Sequence, residues 1–162
     1  MKLPVSGREA QTGNATCLGL SNGARGPFVR KLSIPERDLL YAVAAAEDIQ
    51  QALKGATWTS LQVNQASSKW HCDVGNSGLS AILALGEYTG GAFEMEDRKV
   101  DIHNAIFILD GSKPHRCEHY EGTRASLVSF THASCPKINP LDAAYLSMSG
   151  VPFASSNKRK GT

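Results

Sequence analysis

Three side chains that commonly bind metal ions lie in the central part of the chain: His71, Asp73 and His115. Two histidines and one carboxylate hold ferrous iron on one face, which leaves three coordination positions open for a cosubstrate and O₂. Arg124 follows the second histidine by nine residues, and a guanidinium can bind a carboxylate through two parallel hydrogen bonds. These residue types predict iron-dependent oxidation that uses a carboxylic acid as cosubstrate.

The spacing of these residues suits β-strands. Residues two positions apart on a strand face the same way, so a strand over His71–Asp73 would direct both ligands to one side and Cys72 to the other. The dipeptide Asp110-Gly111 is a turn signal after an apolar run, and it lets the chain return to His115. The two histidines are 44 positions apart in the sequence, which leaves room for several strands between them.

Each residue also has a simpler explanation. His71 would be a surface strand residue, Asp73 a cap on the turn at Gly75, and Arg124 a solvated residue paired with a carboxylate such as Glu121. The joint order of H-x-D, turn, His and Arg-x-Ser, with each part on a strand or strand edge, favours the metal site.

Three other histidines compete as the third ligand. His103 and His132 lie at the ends of predicted strands, where polar residues are common, which leaves His119 as the strongest rival. We favour His115 because it follows the Asp-Gly turn and stands nine residues before Arg124.

The elements that must position these residues begin with a helix. Ser33-Ile34-Pro35-Glu36 is a capping-box pattern with proline near the first helical position, and apolar residues follow at helical spacing until Gly55. The pattern predicts one amphipathic helix over residues 35–54.

After Gly55 the hydrophobic period changes from 3.6 to 2, which is typical of strands. Seven strands after one helix predict a mainly β fold, a jelly-roll-like barrel with the helix packed on its outer sheet. A further short strand is predicted at 17–20 and a short helix at 141–148. The seven strands are predicted at residues 57–65, 69–73, 79–88, 92–95, 105–109, 115–118 and 126–132, with turns at 75–78, 89–91, 110–111 and 121–122.

Length and composition predict one domain over residues 1–162, with a catalytic core at about 57–132 and flexible segments at 1–16 and 150–162. No apolar run is long enough to cross a bilayer and no secretory signal is visible, so we expect an intracellular protein, nuclear or cytoplasmic, with four free thiols. The cysteines form no C-x-x-C pair, which argues against structural zinc. A net charge of +2 neither requires nor excludes a nucleic-acid partner.

Five segments carry a resemblance to a known family between residues 59 and 131. They read TSLQVN, WHCDVGNSGLS, LGEYTGGAF, FILDGSKPH and EGTRASLVSF. In these segments the chain resembles the 2-oxoglutarate/Fe(II)-dependent dioxygenase superfamily, and within it the TET and J-base thymine hydroxylase branch with its protist and viral relatives. The resemblance implies a double-stranded β-helix of the cupin-like kind, Fe(II) and 2-oxoglutarate as cofactors, and O₂ as cosubstrate.

The resemblance also implies roles for single residues. His71, Asp73 and His115 match the iron ligands. Arg124 and Ser126 match the pair that binds the distal carboxylate of 2-oxoglutarate. Asn76 stands where the TET branch has an asparagine that contacts the target base, or it is simply a turn residue. Two features depart from the animal TET pattern: the cysteine-rich region is absent, and Gly75 replaces a larger base-contacting side chain.

The branch implies hydroxylation of a methyl-bearing nucleobase in DNA or RNA. A base in a duplex would have to be flipped out, and Trp70, Tyr88 or Phe93 would stack on it unless they belong to the core. Two alternatives stay open. One is a hydroxylase of a protein side chain or small molecule, and the other is a non-catalytic cupin-like module that binds metal.

Overall fold

The structure is a computed structural model that describes residues 11–153. Within this range the chain forms nine strands, three helices and one 3₁₀ turn. The strands are β1 (Gln11–Gly23), β2 (Gly26–Val29), β3 (Ser60–Ser68), β4 (Asn76–Gly90), β5 (Phe93–Met95), β6 (Arg98–Val100), β7 (Phe107–Leu109), β8 (His115–Cys117) and β9 (Tyr120–His132). The helices are α1 (Ile34–Ala45), α2 (Glu47–Ala52) and α3 (Pro140–Met148), and the 3₁₀ turn is Cys135–Lys137.

The strands form two antiparallel sheets. The larger sheet has the order β2-β1-β3-β9-β4-β7, and the smaller has the order β6-β5-β8. Side chains from β3, β4 and β9 of the large sheet and from β5 and β8 of the small sheet line one cavity. The mainly β, jelly-roll-like prediction is therefore confirmed, and the cavity lies between the sheets.

The helices cover the outer face of the large sheet, as predicted. Leu18 and Leu61 of the sheet share one buried cluster with Leu40 of α1 and Ile49 of α2. Burial of each such aliphatic side chain contributes about 1.5–3 kcal/mol. This cluster packs the helices against the outer face of the large sheet. The inner face of the sheet lines the cavity.

The single helix predicted over residues 35–54 is divided in two at Ala46, which has an extended ψ of 112°. Acidic residues in the first turn favour a helix N-terminus, and α2 begins with Glu47 and Asp48. The predicted capping box is present at α1, where Ser33 accepts a hydrogen bond from the Glu36 backbone and Glu36 accepts one from the Ser33 backbone.

Arg30 reinforces this cap. Its guanidinium donates to both Glu36 carboxylate oxygens, at 2.7 and 3.0 Å. The hydrogen bonds from Arg30, helped by those from Ser33, lower the pKa of Glu36 from 4.5 to about 2.

Three predictions near the site are wrong. The turn predicted at 75–78 is not observed over most of its length, because β4 begins at Asn76. Residues 69–73 form no strand, because only His71 makes an isolated bridge, to His115. Residues 121–122 form no turn, because β9 continues through them in register with β4. Gly122 has a φ of 111°, and a Cβ there would lie 2.3 Å from the Glu87 carbonyl oxygen. This glycine therefore marks a close approach of two strands, not a chain reversal.

The ends of the described chain are more ordered than the sequence predicts. Residues 11–16 belong to β1, which starts before the short strand predicted at 17–20. Val151 is buried, and the Pro152 carbonyl accepts a hydrogen bond from the Trp58 backbone at 3.1 Å. The rest of the segments predicted to be flexible, residues 1–10 and 154–162, lies outside the described residues. Over the described range, no helix has the length and apolar character needed to span a membrane.

Candidate metal centre

A main-chain pair brings the two candidate histidine ligands together. The backbone N–H of His71 donates to the His115 carbonyl, and the N–H of His115 donates back, both at 3.0 Å. The two rings lie 4.5 Å apart between centroids. Because β8 starts at His115 while His71 lies in the connection between β3 and β4, this bridge joins the two sheets at the site.

Each histidine is oriented by a carbonyl two residues earlier in the chain. His71 Nδ1 lies 2.7 Å from the Lys69 oxygen, and His115 Nδ1 lies 2.8 Å from the Lys113 oxygen. A carbonyl oxygen only accepts, so each Nδ1 carries the proton and each Nε2 keeps its lone pair for a metal ion. Ligating histidines are commonly oriented in this way.

Asp73 completes the group. Its Oδ2 lies 3.3 Å from His115 Nε2, and its Oδ1 lies 3.7 Å from His71 Nε2. The three ligand atoms lie within 4.8 Å of one another. The Asp73 backbone donates to the Gly111 carbonyl at 2.7 Å, so the Asp-Gly turn positions the carboxylate directly.

The site is enclosed on one side and accessible on the other. The His115 side chain is 6% exposed, while those of Asp73 and His71 are 12% and 20% exposed. The Phe93 ring packs 5.5 Å from the His115 ring. All three candidate ligands line the cavity between the sheets, as does Ser126. A metal ion at this place would have one face toward the cavity.

Arg124 lies on the same face of β9 as Ser126, two residues earlier, and only 2% of it is exposed. Its Nη2 donates to the Gly91 carbonyl at 3.4 Å and contacts Cys117 Sγ at 3.7 Å. Its guanidinium also stacks on the rings of Tyr88 and Tyr120, at 5.4 and 5.2 Å. No carboxylate of the described chain pairs with it, in contrast to the alternative of a solvated arginine paired with Glu121.

Several buried polar atoms at Arg124 and Ser126 lack the hydrogen-bond partners that a carboxylate would provide. Among the described residues, Arg124 Nε, Arg124 Nη1 and Ser126 Oγ are buried without a hydrogen-bond partner. Buried polar groups in folded proteins nearly always have partners, and a buried charge without one is costly. A bound carboxylate would supply them, so the residues present fit the dicarboxylate that the sequence predicts.

Cys117 lies between the metal ligands and Arg124. It follows His115 by two residues on β8 and lines the same cavity. Burial raises the pKa of the Cys117 thiol, and the nearby charge of Arg124 only partly opposes this. Cys117 is therefore a neutral thiol at physiological pH, and it does not compensate the guanidinium charge.

The rival histidines lie elsewhere. His103 Nε2 donates to the Gly86 carbonyl at 2.8 Å. His119 is exposed and pairs with Glu121 at 2.6 Å. His132 accepts a hydrogen bond from the Ser134 backbone at 3.0 Å. None of the three belongs to the group formed by the candidate ligands.

The residues predicted to contact a base lie at three different places in the structure. Asn76 lines the cavity of the metal group, and so does Phe93. Tyr88 packs beside Arg124. Trp70 is 44% exposed, lies under the Arg116 guanidinium at 5.2 Å, and lines a different groove.

Two amides were not predicted from the sequence. Gln62 and Asn64 of β3 line the cavity, and the Gln62 amide donates to the Asn64 oxygen at 3.2 Å. Their alternation is visible in the sequence, but which face of β3 points inward is decided by the sheet packing.

Comparisons with known proteins place the fold. No protein-family model matches the chain, and no curated protein matches it. A solved oxidoreductase of the 2OG-Fe(II) oxygenase family from Burkholderia pseudomallei aligns with a TM-score of 0.56 and 16% identity, over 82% of this chain and 75% of that one. The structure of OsALKBH1 aligns with a TM-score of 0.48 and 15% identity, over 80% and 83%.

At such low identity the likeness to the Burkholderia protein shows the fold alone, and the OsALKBH1 alignment adds no argument. The double-stranded β-helix prediction is confirmed. Assignment to the TET and J-base thymine hydroxylase branch stays a prediction.

Proposed function

We propose that this protein is an Fe(II)- and 2-oxoglutarate-dependent dioxygenase in which His71, Asp73 and His115 bind the iron. One observation carries the proposal: the three candidate ligands line one cavity with Cys117 and Ser126, and Cys117 contacts the buried Arg124, two of whose nitrogens lack a partner among the described residues. A purely structural arginine at this depth would be paired, whereas one that binds a cosubstrate carboxylate need not be.

When bound, iron and 2-oxoglutarate would supply the oxidising power for hydroxylating a C–H bond with O₂, with succinate and CO₂ as coproducts. The chain supplies binding and orientation. Arg124 and Ser126 would hold the distal carboxylate, and Ile82 and Val128 contribute apolar cavity wall that limits access of water.

We further propose that the substrate is a methyl-bearing nucleobase in DNA or RNA. Asn76 supports this, because its side chain lines the cavity that holds the metal group. An amide offers both a donor and an acceptor, which suits the edge of a base. The resemblance to the TET branch supports the same substrate class.

A second candidate, hydroxylation of a protein side chain, is favoured by one groove. It lies beside Trp70 and Pro114, each next in sequence to a histidine ligand, and it contains the carboxylates Glu94 and Glu96. Glu94 pairs with Arg116 at 2.7 Å. Carboxylates near a site disfavour the phosphates of a nucleic acid and favour a cationic partner.

Anaerobic titration tests the cofactors. Adding Fe(II) and then 2-oxoglutarate to the wild-type protein should give a visible charge-transfer band, which His115→Ala should abolish. His119→Ala is the matched control, because this histidine is exposed and outside the metal group. A folded wild-type protein without the band would favour the non-catalytic metal-binding module.

Succinate release tests the substrate. It should be measured in parallel with methylated DNA, methylated RNA, peptide mixtures and no substrate. The nucleobase proposal expects stimulation by nucleic acid and an added oxygen on the base by mass spectrometry. Stimulation by peptides alone would replace it with the protein hydroxylase.

A further inference from the structure

Trp70 is an exposed aromatic side chain at the edge of the metal site. It directly precedes the candidate ligand His71, and 44% of it is exposed, whereas Trp58, the other tryptophan of the chain, is 2% exposed. Trp70 lines a groove of about 410 Å³ together with Glu94, Met95, Glu96 and Pro114. Tryptophan is enriched where proteins bind their partners, so this groove is a candidate binding surface.

Arg116 holds the Trp70 ring in place. Its guanidinium lies over the ring at 5.2 Å, and its Nε and Nη2 both contact Glu94 Oε2 at 2.7 Å. Arg116 and Glu94 are opposite each other on the paired strands β8 and β5, so the small sheet fixes the guanidinium. The indole is therefore a fixed wall of the groove, and the charge of Arg116 is compensated within the protein.

One carboxylate of the groove has no paired cation. Glu96 is exposed and forms no ion pair with any other described residue. The neighbouring carboxylates of the small sheet all have cations. The pairs are Glu94 with Arg116 at 2.7 Å, Asp97 with Arg98 at 3.3 Å and Glu118 with Lys99 at 2.6 Å. The groove thus combines an aromatic ring with one uncompensated negative charge.

This combination suits a cationic side chain. The face of an indole attracts a cation within about 6 Å, and a carboxylate adds a charge-assisted hydrogen bond. Met95 and Pro114 provide apolar surface for the methylene stem that lysine and arginine place against nonpolar groups. The negative charge of Glu96 disfavours a phosphate, so a basic polypeptide fits the groove better than a nucleic acid.

We propose that this groove binds a lysine or arginine side chain of a polypeptide partner. Its volume lies in the range of sites that enclose a small molecule, so one long side chain fits with part of its backbone. Trp70 and Pro114 each directly precede a candidate histidine ligand, so the bound segment lies beside the metal site. The inference goes beyond the proposed function, because this binding requires neither iron nor 2-oxoglutarate.

Fluorescence of Trp70 tests the groove directly. Trp58 is buried, so a ligand in the groove should change mainly the emission of Trp70. The full-length protein is titrated at physiological ionic strength with a capped glycine peptide that carries one central arginine, and with the same peptide carrying citrulline instead. Citrulline keeps the shape of arginine without its charge, so the citrulline peptide should bind at least about fivefold more weakly.

Glu96→Gln should weaken binding of the arginine peptide by about threefold or more and leave binding of the citrulline peptide unchanged. Asp97→Asn is the matched control. It removes the same charge at the next position, but Asp97 pairs with Arg98 at 3.3 Å and does not line the groove. This variant should bind the arginine peptide like the wild type. Both positions are exposed, so neither substitution should unfold the protein.

The inference is overturned if the arginine peptide causes no saturable change in emission, or binds no better than the citrulline peptide. Equal losses in Glu96→Gln and Asp97→Asn would also overturn it, because they would show attraction to general negative surface charge. A single-stranded oligonucleotide that changes the emission when the arginine peptide does not would assign the groove to nucleic acid instead. None of these titrations contains iron or 2-oxoglutarate, so failure of the proposed function stays distinguishable.

Discussion

Replacing Arg124 by methionine separates a binding role from a structural one. Methionine has a similar length and is apolar, so it fills the buried space without the charge. If Arg124 binds the cosubstrate carboxylate, the variant should lose affinity for 2-oxoglutarate while the ligand-free protein keeps its stability. A structural role predicts the reverse.

The loss of affinity follows from the unpartnered nitrogens. Arg124 Nε and Nη1 are both buried without partners, so a bound carboxylate would form two charge-assisted hydrogen bonds with them. Each contributes about 1.5–3 kcal/mol. Together they contribute about 3–6 kcal/mol, so losing both should raise the dissociation constant of 2-oxoglutarate by about 10²- to 10⁴-fold.

The free energy of unfolding of Arg124→Met should change little, because the guanidinium has few partners within the protein. The guanidinium is only 2% exposed, has no carboxylate partner in the described chain, and donates one long hydrogen bond of 3.4 Å to Gly91. Replacing a buried charge by an apolar side chain is often neutral or stabilising, while losing the stacking on Tyr88 and Tyr120 costs about 1–2 kcal/mol. We expect the free energy of unfolding to change by less than about 1 kcal/mol.

Urea unfolding of the metal-free protein and calorimetric titration of the Mn(II)-loaded protein measure the two quantities. Arg116→Met is the control, since Arg116 is partly exposed and pairs with Glu94, and it should leave 2-oxoglutarate affinity unchanged. A destabilisation of Arg124→Met by 3 kcal/mol or more, with less than a tenfold change in affinity, would refute the reasoning.

Three further predictions concern the cap of α1, the Asp110-Gly111 turn that positions Asp73, and the cysteine thiols. The pKa of Glu36 is lowered to about 2 from 4.5, so its ion pair stabilises the fold above pH 4.5 and is lost as pH falls toward 2. Glu36→Gln should remove this dependence, worth up to about 3 kcal/mol before screening, in unfolding curves recorded from pH 6 to pH 2. Gly111→Ala should weaken metal affinity in a Mn(II) titration without unfolding the protein, because the new Cβ would lie 3.3 Å from Asp73 Oδ2. Unchanged affinity would show that close packing of Gly111 is not needed to position Asp73. A maleimide should label the exposed Cys72 of the native protein faster than Cys117, which is half-buried and whose pKa is raised by burial; equal labelling rates by mass spectrometry would contradict this.

The helix start and the turn after β7 could be predicted because both depend on near neighbours. The capping box at Ser33 needs only Glu36, three residues away. The Asp110-Gly111 turn is likewise local, with a backbone N–H to carbonyl bond from Lys113 to Asp110 at 3.2 Å. The same holds for the short helix predicted at 141–148, which the structure places at Pro140–Met148.

Gly122 could not be interpreted by the same local rules. The prediction of a turn at 121–122 assumed that glycine reverses the chain. Gly122 instead lies inside β9, where the partner strand comes so close that a Cβ would clash with the Glu87 carbonyl. Glu87 lies on β4, 35 positions earlier in the chain, so this pairing is invisible to a local pattern.

For the site, the sequence by itself determined which residue types can bind a metal ion and a carboxylate, and the order in which they occur. Tertiary structure decided their geometry. His71 and Asp73 face one place because of the bridge to His115 and the hydrogen bond to Gly111, and the strand expected to align them is absent. Burial of Arg124 beside Tyr88 likewise arises only when β4 and β9 pair. Desolvation and long-range hydrogen bonds depend on residues distant in the chain, so the affinity of this site for a metal ion and a carboxylate depends on the tertiary structure.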